Sequence, residues 1–259
     1  MSALHTAQAI VERDLSRAFR QKSRLFGGLA RSFMWLLLVA AGFGAITRVD
    51  GASSYQAFVF PGIVVMAALF GAMLTAISTV YDREFGMLRL MLASPAGITT
   101  VLAGRAVAAA AVGVLHGGIV LLTAPLFVSV TGAQFASAVG ALLAGAAASS
   151  VLGLLVAAPV RSVENFAAVV NVVLFPLLFL SGALYPTTTM PAWLYAAVRL
   201  NPVTYAVDLM RGALGQRMEF SAATSLAALG VSIVVAFAAA AWLFDPELRL
   251  SRRGVGVRQ

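Results

Sequence analysis

Hydrophobic positions along this chain fall in long unbroken runs rather than in stripes. Residues 106–160 hold no Asp, Glu, Lys or Arg over 55 positions, and residues 51–81 form a second uncharged stretch of 31. A bilayer's hydrocarbon core is about 30 Å thick and roughly 20 apolar helical residues cross it, so the longer run suffices for two crossings joined by a turn. A soluble surface helix would be apolar on one face only. The pattern therefore predicts an all-α integral membrane protein with six transmembrane helices, at about residues 27–46, 56–80, 105–130, 135–158, 165–184 and 222–244. Thr131-Gly132-Ala133-Gln134 is a short polar link suited to a hairpin between the third and fourth spans. The 51–81 stretch exceeds one crossing, which implies tilt or an interfacial end.

Composition agrees: 61% of residues are hydrophobic and 11% charged, against roughly 45–50% and about 25% in soluble domains. Cysteine is absent, which excludes disulfides, thiolate metal sites and cysteine nucleophiles. The net charge of +8 would suggest nucleic-acid binding in a soluble protein. Here the arginines read first as topology signals, and no nucleic-acid partner is expected. If both termini are cytoplasmic, the two tails and the second and fourth loops hold 14 of the 18 Lys and Arg, leaving 4 for the other side. The chain then divides into a cytoplasmic interfacial helix and tail (1–26), a transmembrane domain (27–244) and a basic cytoplasmic tail (245–259). Charges recur throughout the first 25 residues without an apolar stretch ahead of a small-residue cleavage site, so no cleaved leader is expected.

Residues 6–26 plot as one amphipathic helix, with Val11, Leu15, Ala18, Phe19, Leu25 and Phe26 on one side and Arg13, Arg17, Arg20 and Arg24 on the other. Such a helix lies in the headgroup plane with its basic side chains meeting lipid phosphates. The arginines either only fix topology or also rest against a partner subunit. Between the second and third spans, Asp82, Arg83 and Glu84 lead into Phe85, Gly86, Met87, Leu88, Arg89, Leu90, Met91 and Leu92, closed by Ala93-Ser94-Pro95. A short helix over about 83–93 is predicted, ending before the proline. It carries too many large apolar side chains for a solvated loop, so it is either an interfacial helix or a docking knob for a cytoplasmic partner. In the second case its charges would pair at the rim and orient that partner. Before the last span, Pro186, Pro191 and Pro202 cut the chain into pieces too short to cross. They predict two outer-leaflet helices, about 192–200 and 204–214, rimmed by Tyr185, Trp193, Tyr195 and Tyr205, with Asp208 and Arg211 spaced to pair on the second.

Asp82 to Arg89 with Ala93-Ser94-Pro95, Phe179-Leu180-Ser181-Gly182-Ala183-Leu184-Tyr185-Pro186, Met190-Pro191-Ala192-Trp193 and Asn201-Pro202 through Arg211-Gly212 together resemble the permease subunits of ABC-2-type ATP-binding-cassette exporters. The likeness runs over nearly the whole chain. It implies a half-transporter in a bacterial cell membrane that works with a second copy of itself and two copies of a separate cytoplasmic ABC ATPase, exporting a drug-like, lipid or lipid-linked cargo. Asp82 to Leu92 would be the helix received by the ATPase, with the N-terminal helix nearby. The first and fifth spans would line the pathway, through Phe33, Trp35, Phe175 and Phe179. No cofactor is expected on this chain itself; ATP and Mg would sit in the partner. In agreement, the only lysine is Lys22, preceded by Gln21, so no Gly-x-x-x-x-Gly-Lys-Ser/Thr phosphate loop exists. The loop at Asp82 also departs from the Glu-Ala-Ala pattern of importer permeases, which favours export.

Within the spans polar groups are few. His116 is either a substrate contact or proton relay, or a neutral histidine bonded to a backbone carbonyl. Gly140, Ala144 and Ala148, and Ser149, Gly153 and Ala157, recur every four residues in the fourth span, with Gly113 and Gly117 in the third offering a facing groove for close helix packing. The alternative classes are an ion-coupled secondary transporter, disfavoured because no Asp or Glu falls inside a span, and an intramembrane hydrolase, disfavoured because no Gly-x-Ser-x-Gly elbow occurs.

Overall fold

A computed structural model describes residues 3–44, 54–92, 97–187 and 190–255; the side chains of Ala3, Arg24, Val39, Arg89, Leu92 and residues 245–255 lie outside the described set, as do residues 93–96, which hold the expected Ser94-Pro95 stop, and 256–259. The described residues form helices α1 (Ala3–Arg20), α2 (Lys22–Met34), α3 (Ala40–Gly44), α4 (Tyr55–Glu84), α5 (Met87–Leu92) and α6 (Gly97–Leu121). They continue as α7 (Gly132–Ala157), α8 (Val163–Leu180), α9 (Ala192–Leu200), α10 (Pro202–Ala213) and α11 (Ala222–Val255). A π-helical turn, Trp35–Val39, joins α2 to α3.

Among the described residues, six helical segments are long and apolar enough to cross a bilayer: Leu25–Gly44, Tyr55–Glu84, Gly97–Leu126, Gly132–Ala157, Val163–Leu180 and Ala222–Phe244. All six expected spans are present, and the two short helices before the last one are α9 and α10. Their starts are written in the sequence as caps. The Ser54, Thr131 and Ser162 hydroxyls accept the first free N–H groups of α4, α7 and α8, and Asn201 Oδ1 accepts Val203 N at 3.0 Å with Pro202 opening α10. Two of the differences from the expected boundaries shape the site. The N-terminal amphipathic helix is not continuous over 6–26 but breaks at Gln21, whose backbone leaves the helical region (φ −88°, ψ 61°). The break lets Ala7 and Ile10 of α1 pack on Gly104 while Gly28 of α2 approaches His116. The third span begins at Gly97 instead of 105, which places Arg105 inside a helix and buries it.

Helix α4 is the axis of the bundle: from Tyr55 to Val80 nearly every side chain is buried, and α6, α7, α10 and α2 pack around it. Lipid tails are as apolar as leucine, so association inside a bilayer relies on close van der Waals fit, which small residues permit. A Cβ on Gly113 of α6 would lie 2.8 Å from the Ala68 carbonyl oxygen of α4, and one on Gly153 of α7 would lie 3.1 Å from Ala76 Cβ. The small-residue spacing in the third and fourth spans thus does serve packing. Gly140 is the exception, since nothing lies within 4 Å of its Cβ position. Helix α8 buries only Phe166, Leu174 and Leu178, and α11 is similarly open along its span.

The tight α4–α6 seam makes a direct prediction. Gly113→Ala forces two backbones apart and lowers stability by about 1–3 kcal/mol, whereas Gly140→Ala is neutral or slightly stabilising. Thermal unfolding of the two variants in the same detergent checks this; equal midpoints would refute the seam.

Candidate functional site

At one end of the bundle, hereafter the charged end, α1, α4, α5 and α6 converge on Asp82. Its carboxylate is 3% exposed and meets three guanidinium groups: Arg105 Nη2 donates to Oδ2 at 2.5 Å, Arg13 Nη2 to Oδ2 at 2.7 Å and Arg17 Nη1 to Oδ1 at 3.2 Å. Arg105 also donates to Thr79 Oγ1 at 3.2 Å and lies 3.7 Å from Asp14 Oδ2. Asp14, itself 2% exposed, accepts from Arg13 at 2.8 and 3.1 Å through Oδ1. Burial weighs against the Arg13 guanidinium, but the Asp14 and Asp82 carboxylates outweigh it and hold Arg13 above the ordinary arginine value. Ionised groups survive burial only when paired and hydrogen-bonded, and this cluster pairs all five.

The next two residues point elsewhere. Arg83 donates to the Ala157 carbonyl at 3.0 Å and to the Val160 carbonyl, at the C-terminus of α7, with its guanidinium 4.7 Å from the Phe244 ring centroid. Glu84 Oε2 accepts the Val163 N–H at 2.9 Å, at the N-terminus of α8. A cation therefore meets the negative end of one helix dipole and an anion the positive end of the next. Asp82, Arg83 and Glu84, expected to pair at a rim, are all engaged within the chain: burial leaves the Asp82 carboxylate no water to bind, whereas half-buried Arg83 and exposed Glu84 meet helix ends. Nor is 83–93 one helix. Helix α4 continues to Glu84, the chain turns at Phe85-Gly86, and α5 starts at Met87. Gly86 has φ +77°, a conformation that costs a side-chain-bearing residue about 1 kcal/mol or more.

Helix α5 has two unlike sides. Leu88 is fully buried beside Leu102, Ala158 and Phe244, and Met91 Sδ receives Arg105 at 3.3 Å and Arg13 at 3.7 Å. Phe85, Met87 and Leu90 face outward at 76, 47 and 70% exposure. The arginines of α1 are also placed otherwise than expected. Arg13 and Arg17 turn inward to Asp82, Arg20 stays exposed, and Leu4 and Phe19 point outward. Sequence reasoning missed Asp14, Thr79 and Arg105 as site residues. The available signal was Asp14 itself, which follows Ile10 and precedes Ala18 by one helical turn each, an acid in line with an inward apolar stripe.

The other site expectations fare differently. Phe33 and Trp35 are half-buried against the main core, whereas Phe175 and Phe179 lie exposed on α8 with ring centroids 6.4 Å apart; among the described residues no ring contact joins the two pairs. His116 is buried with Nδ1 2.9 Å from the Val112 carbonyl and Nε2 3.3 Å from the Leu25 carbonyl. At the opposite end, Asp208 and Arg211 bond to other groups rather than to each other. Asp208 accepts from Glu219 N and Phe220 N, just ahead of α11, and from Ser225 Oγ in its first turn, at 2.6–3.1 Å. Arg211 donates to the Gly182 carbonyl at 2.5 Å and stacks 4.3 Å over Phe58. Burial pushes Arg211 down to about 10, against the pull of Asp208 and Glu219, so it stays protonated at neutral pH.

Comparison with known proteins adds to this geometry. Residues 5–214 match the family described as ABC-2 type transporter. The chain is 30% identical to Nodulation protein J of Rhizobium leguminosarum bv. trifolii, over 82% of this chain and 82% of that protein. It is 29% identical to Nodulation protein J of Bradyrhizobium diazoefficiens, over 86% of each, and 27% identical to Inner membrane transport permease YadH of Escherichia coli (strain K12), over 79% of this chain and 78% of that protein.

Removing a single partner from a buried ion cluster leaves an uncompensated charge, at a cost of about 3–5 kcal/mol. Asp82→Asn, which strands Arg105, is expected to lower stability by that order and Asp14→Asn by clearly less, since Asp14 makes fewer bonds. Denaturation of the purified variants decides it; equal losses would mean that Asp82 is not the centre of the cluster.

Proposed function

The chain belongs to the ABC-2 type transporter family, and on that premise we propose that it is the membrane permease of an ATP-driven exporter, powered by a separate ABC ATPase. The observation that carries this reading is the construction of α5. Its inner side is locked to α1, α6 and α11 through Leu88 and Met91, while Phe85, Met87 and Leu90 are exposed. A rigidly held, exposed apolar patch next to a charged cluster is the form of a protein docking site. The absence of a Gly-x-x-x-x-Gly-Lys-Ser/Thr loop from the sequence supports placing hydrolysis in a partner.

In this reading the charged end faces the cytoplasm of a bacterial cell, as the 14-to-4 division of Lys and Arg supports, and the chain sits in the inner membrane. Two copies of the chain pair, each seated on one of two ATPase subunits. When the ATPases bind ATP and Mg and close, the push arrives at Phe85, Met87 and Leu90. Because Met91 touches both Arg13 and Arg105, the displacement passes to α1 and α6 together, and to α4 through Asp82. The open faces of α8 and α11, with Phe175 and Phe179 on the first, suit a pathway for a hydrophobic or amphipathic cargo between the paired chains. The importer-type loop is missing, which supports the outward direction.

Phe85→Asp tests the docking site: Phe85 is 76% exposed, and the ring contact it gives up within the chain is its stack on the neighbouring Tyr81. Loss of a central aromatic anchor weakens an interface by about 2 kcal/mol or more, roughly thirtyfold. Co-purification of the ATPase is therefore expected to fall strongly at unchanged thermal midpoint, and ATP-dependent transport to fall with it. Undiminished co-purification, or transport by the isolated chain on an ion gradient without ATP, overturns the proposal.

A further inference from the structure

Helices α1, α2, α4 and α6 line a cavity of about 450 Å³, with Phe85 and Met87 of the proposed docking patch also on its wall. Its wall is polar at the charged end, where Arg17, Gln21, Tyr81 and Asp82 face it, and apolar further in, where Leu25, Leu74 and Val112 take over. His116 closes the inner end, bridging α6 to the Leu25 carbonyl of α2. Beyond this bridge lies a second, wholly apolar space of about 220 Å³ against Phe26, Leu29, Leu115 and Ile119. From Asp82 to Gly71, the α4 residue that abuts His116, is eleven residues. That distance is about 16 Å along a helix, close to the ~15 Å of hydrocarbon in one leaflet.

The charge is as uneven as the polarity. The cluster holds three guanidinium groups, of Arg13, Arg17 and Arg105, against two carboxylates, of Asp14 and Asp82. The surplus positive charge belongs at the cavity. Arg17 has the most exposed side chain of the three, 39% against 32% for Arg13 and 1% for Arg105, and among the described residues it makes one hydrogen bond, to Asp82. Its other N–H groups are available for a second anion, with the Gln21 amide and Tyr81 hydroxyl on the same wall.

We propose that this cavity binds one anionic membrane phospholipid, with the headgroup phosphate on Arg17 and Gln21 and one acyl chain running past Leu74 toward His116. The lipid balances the ion cluster and fills the space between the α1–α2 break and α4. It is a resident ligand within a single chain, independent of which cargo the transporter moves and in which direction.

The test is native mass spectrometry of the full-length protein, released from detergent after titration with dioleoylphosphatidylglycerol, dioleoylphosphatidylcholine or the soluble headgroup glycerophosphoglycerol. One arginine at an anionic lipid is worth about fivefold in affinity. The expected result is one retained phosphatidylglycerol per chain, bound about fivefold more tightly than phosphatidylcholine, with no retention of the soluble headgroup. Arg17→Gln should erase the preference while leaving Arg13 and Arg105 on Asp82. Leu74→Trp, which fills the cavity without touching the charges, should abolish retention of both lipids, and Ser78→Leu blocks the same wall if that variant is not monodisperse. Equal affinity for the two lipids, a preference that survives these substitutions, or equally tight binding of the headgroup alone would each overturn the proposal, the last in favour of a small-anion site.

Discussion

A carboxylate taken out of water must find its counter-charges inside the protein, and Asp82 finds them on two other helices. That requirement organises the charged end. Arg13 and Arg17 fasten α1 to α4, and Arg105 fastens α6 to the same carboxylate through Oδ2. Helix α5 is then held from inside by Met91 on the two arginines and by Leu88 in an apolar niche. Replacing such a cluster by apolar residues often costs a protein nothing, so its presence is better understood as fixing a unique arrangement than as adding stability. Here the arrangement it fixes is the outward display of Phe85, Met87 and Leu90.

The two ends of the bundle are built on different principles. At the charged end, the cluster around Asp82 pairs side chains with side chains. At the opposite end they mostly satisfy backbone: Asn201 reaches the Leu177 carbonyl at 2.7 Å, Tyr55 the Leu184 carbonyl at 2.6 Å and Gln216 the Ala57 carbonyl at 2.7 Å. Non-helical backbone at membrane depth is tolerated only where its polar groups are met in this way. The short helices α9 and α10 and the turn at Gly182 are therefore tied to α4 and α8, and between the two ends small residues carry the contact.

The caps at Ser54, Thr131, Ser162 and Asn201 were not picked out, since the same residue types also serve ordinary turns, whereas the spans were legible because lipid imposes a composition. Segments 192–200 and 204–214 came out as short helices, with prolines marking their limits. What could not be seen was partnership. An arginine at a span edge reads as a topology signal unless its carboxylate is known, and Asp82 lies 23 residues from Arg105 and 69 from Arg13. The same blindness placed the basic side of α1 toward lipid, although Arg13 and Arg17 turn to Asp82. Periodicity shows that a helix has two faces without saying what each face meets. For His116 the sequence leaves a substrate contact or relay and a backbone-bonded histidine both open; its ring nitrogens face the Val112 and Leu25 carbonyls, and its position between Gly28 and Gly71 depends on two other helices.

Three successive residues at the end of α4 are committed in three directions: Asp82 to α1 and α6, Arg83 to the α7 terminus and Glu84 to the start of α8. Consecutive helical positions are separated by about 100° of rotation, so this triple engagement holds for one phase of the helix only. Adding or deleting a single residue between Gly71 and Asp82 would swing each charge onto its neighbour's target. Lineages descending from this chain can thus exchange side chains along that stretch far more freely than they can alter its length.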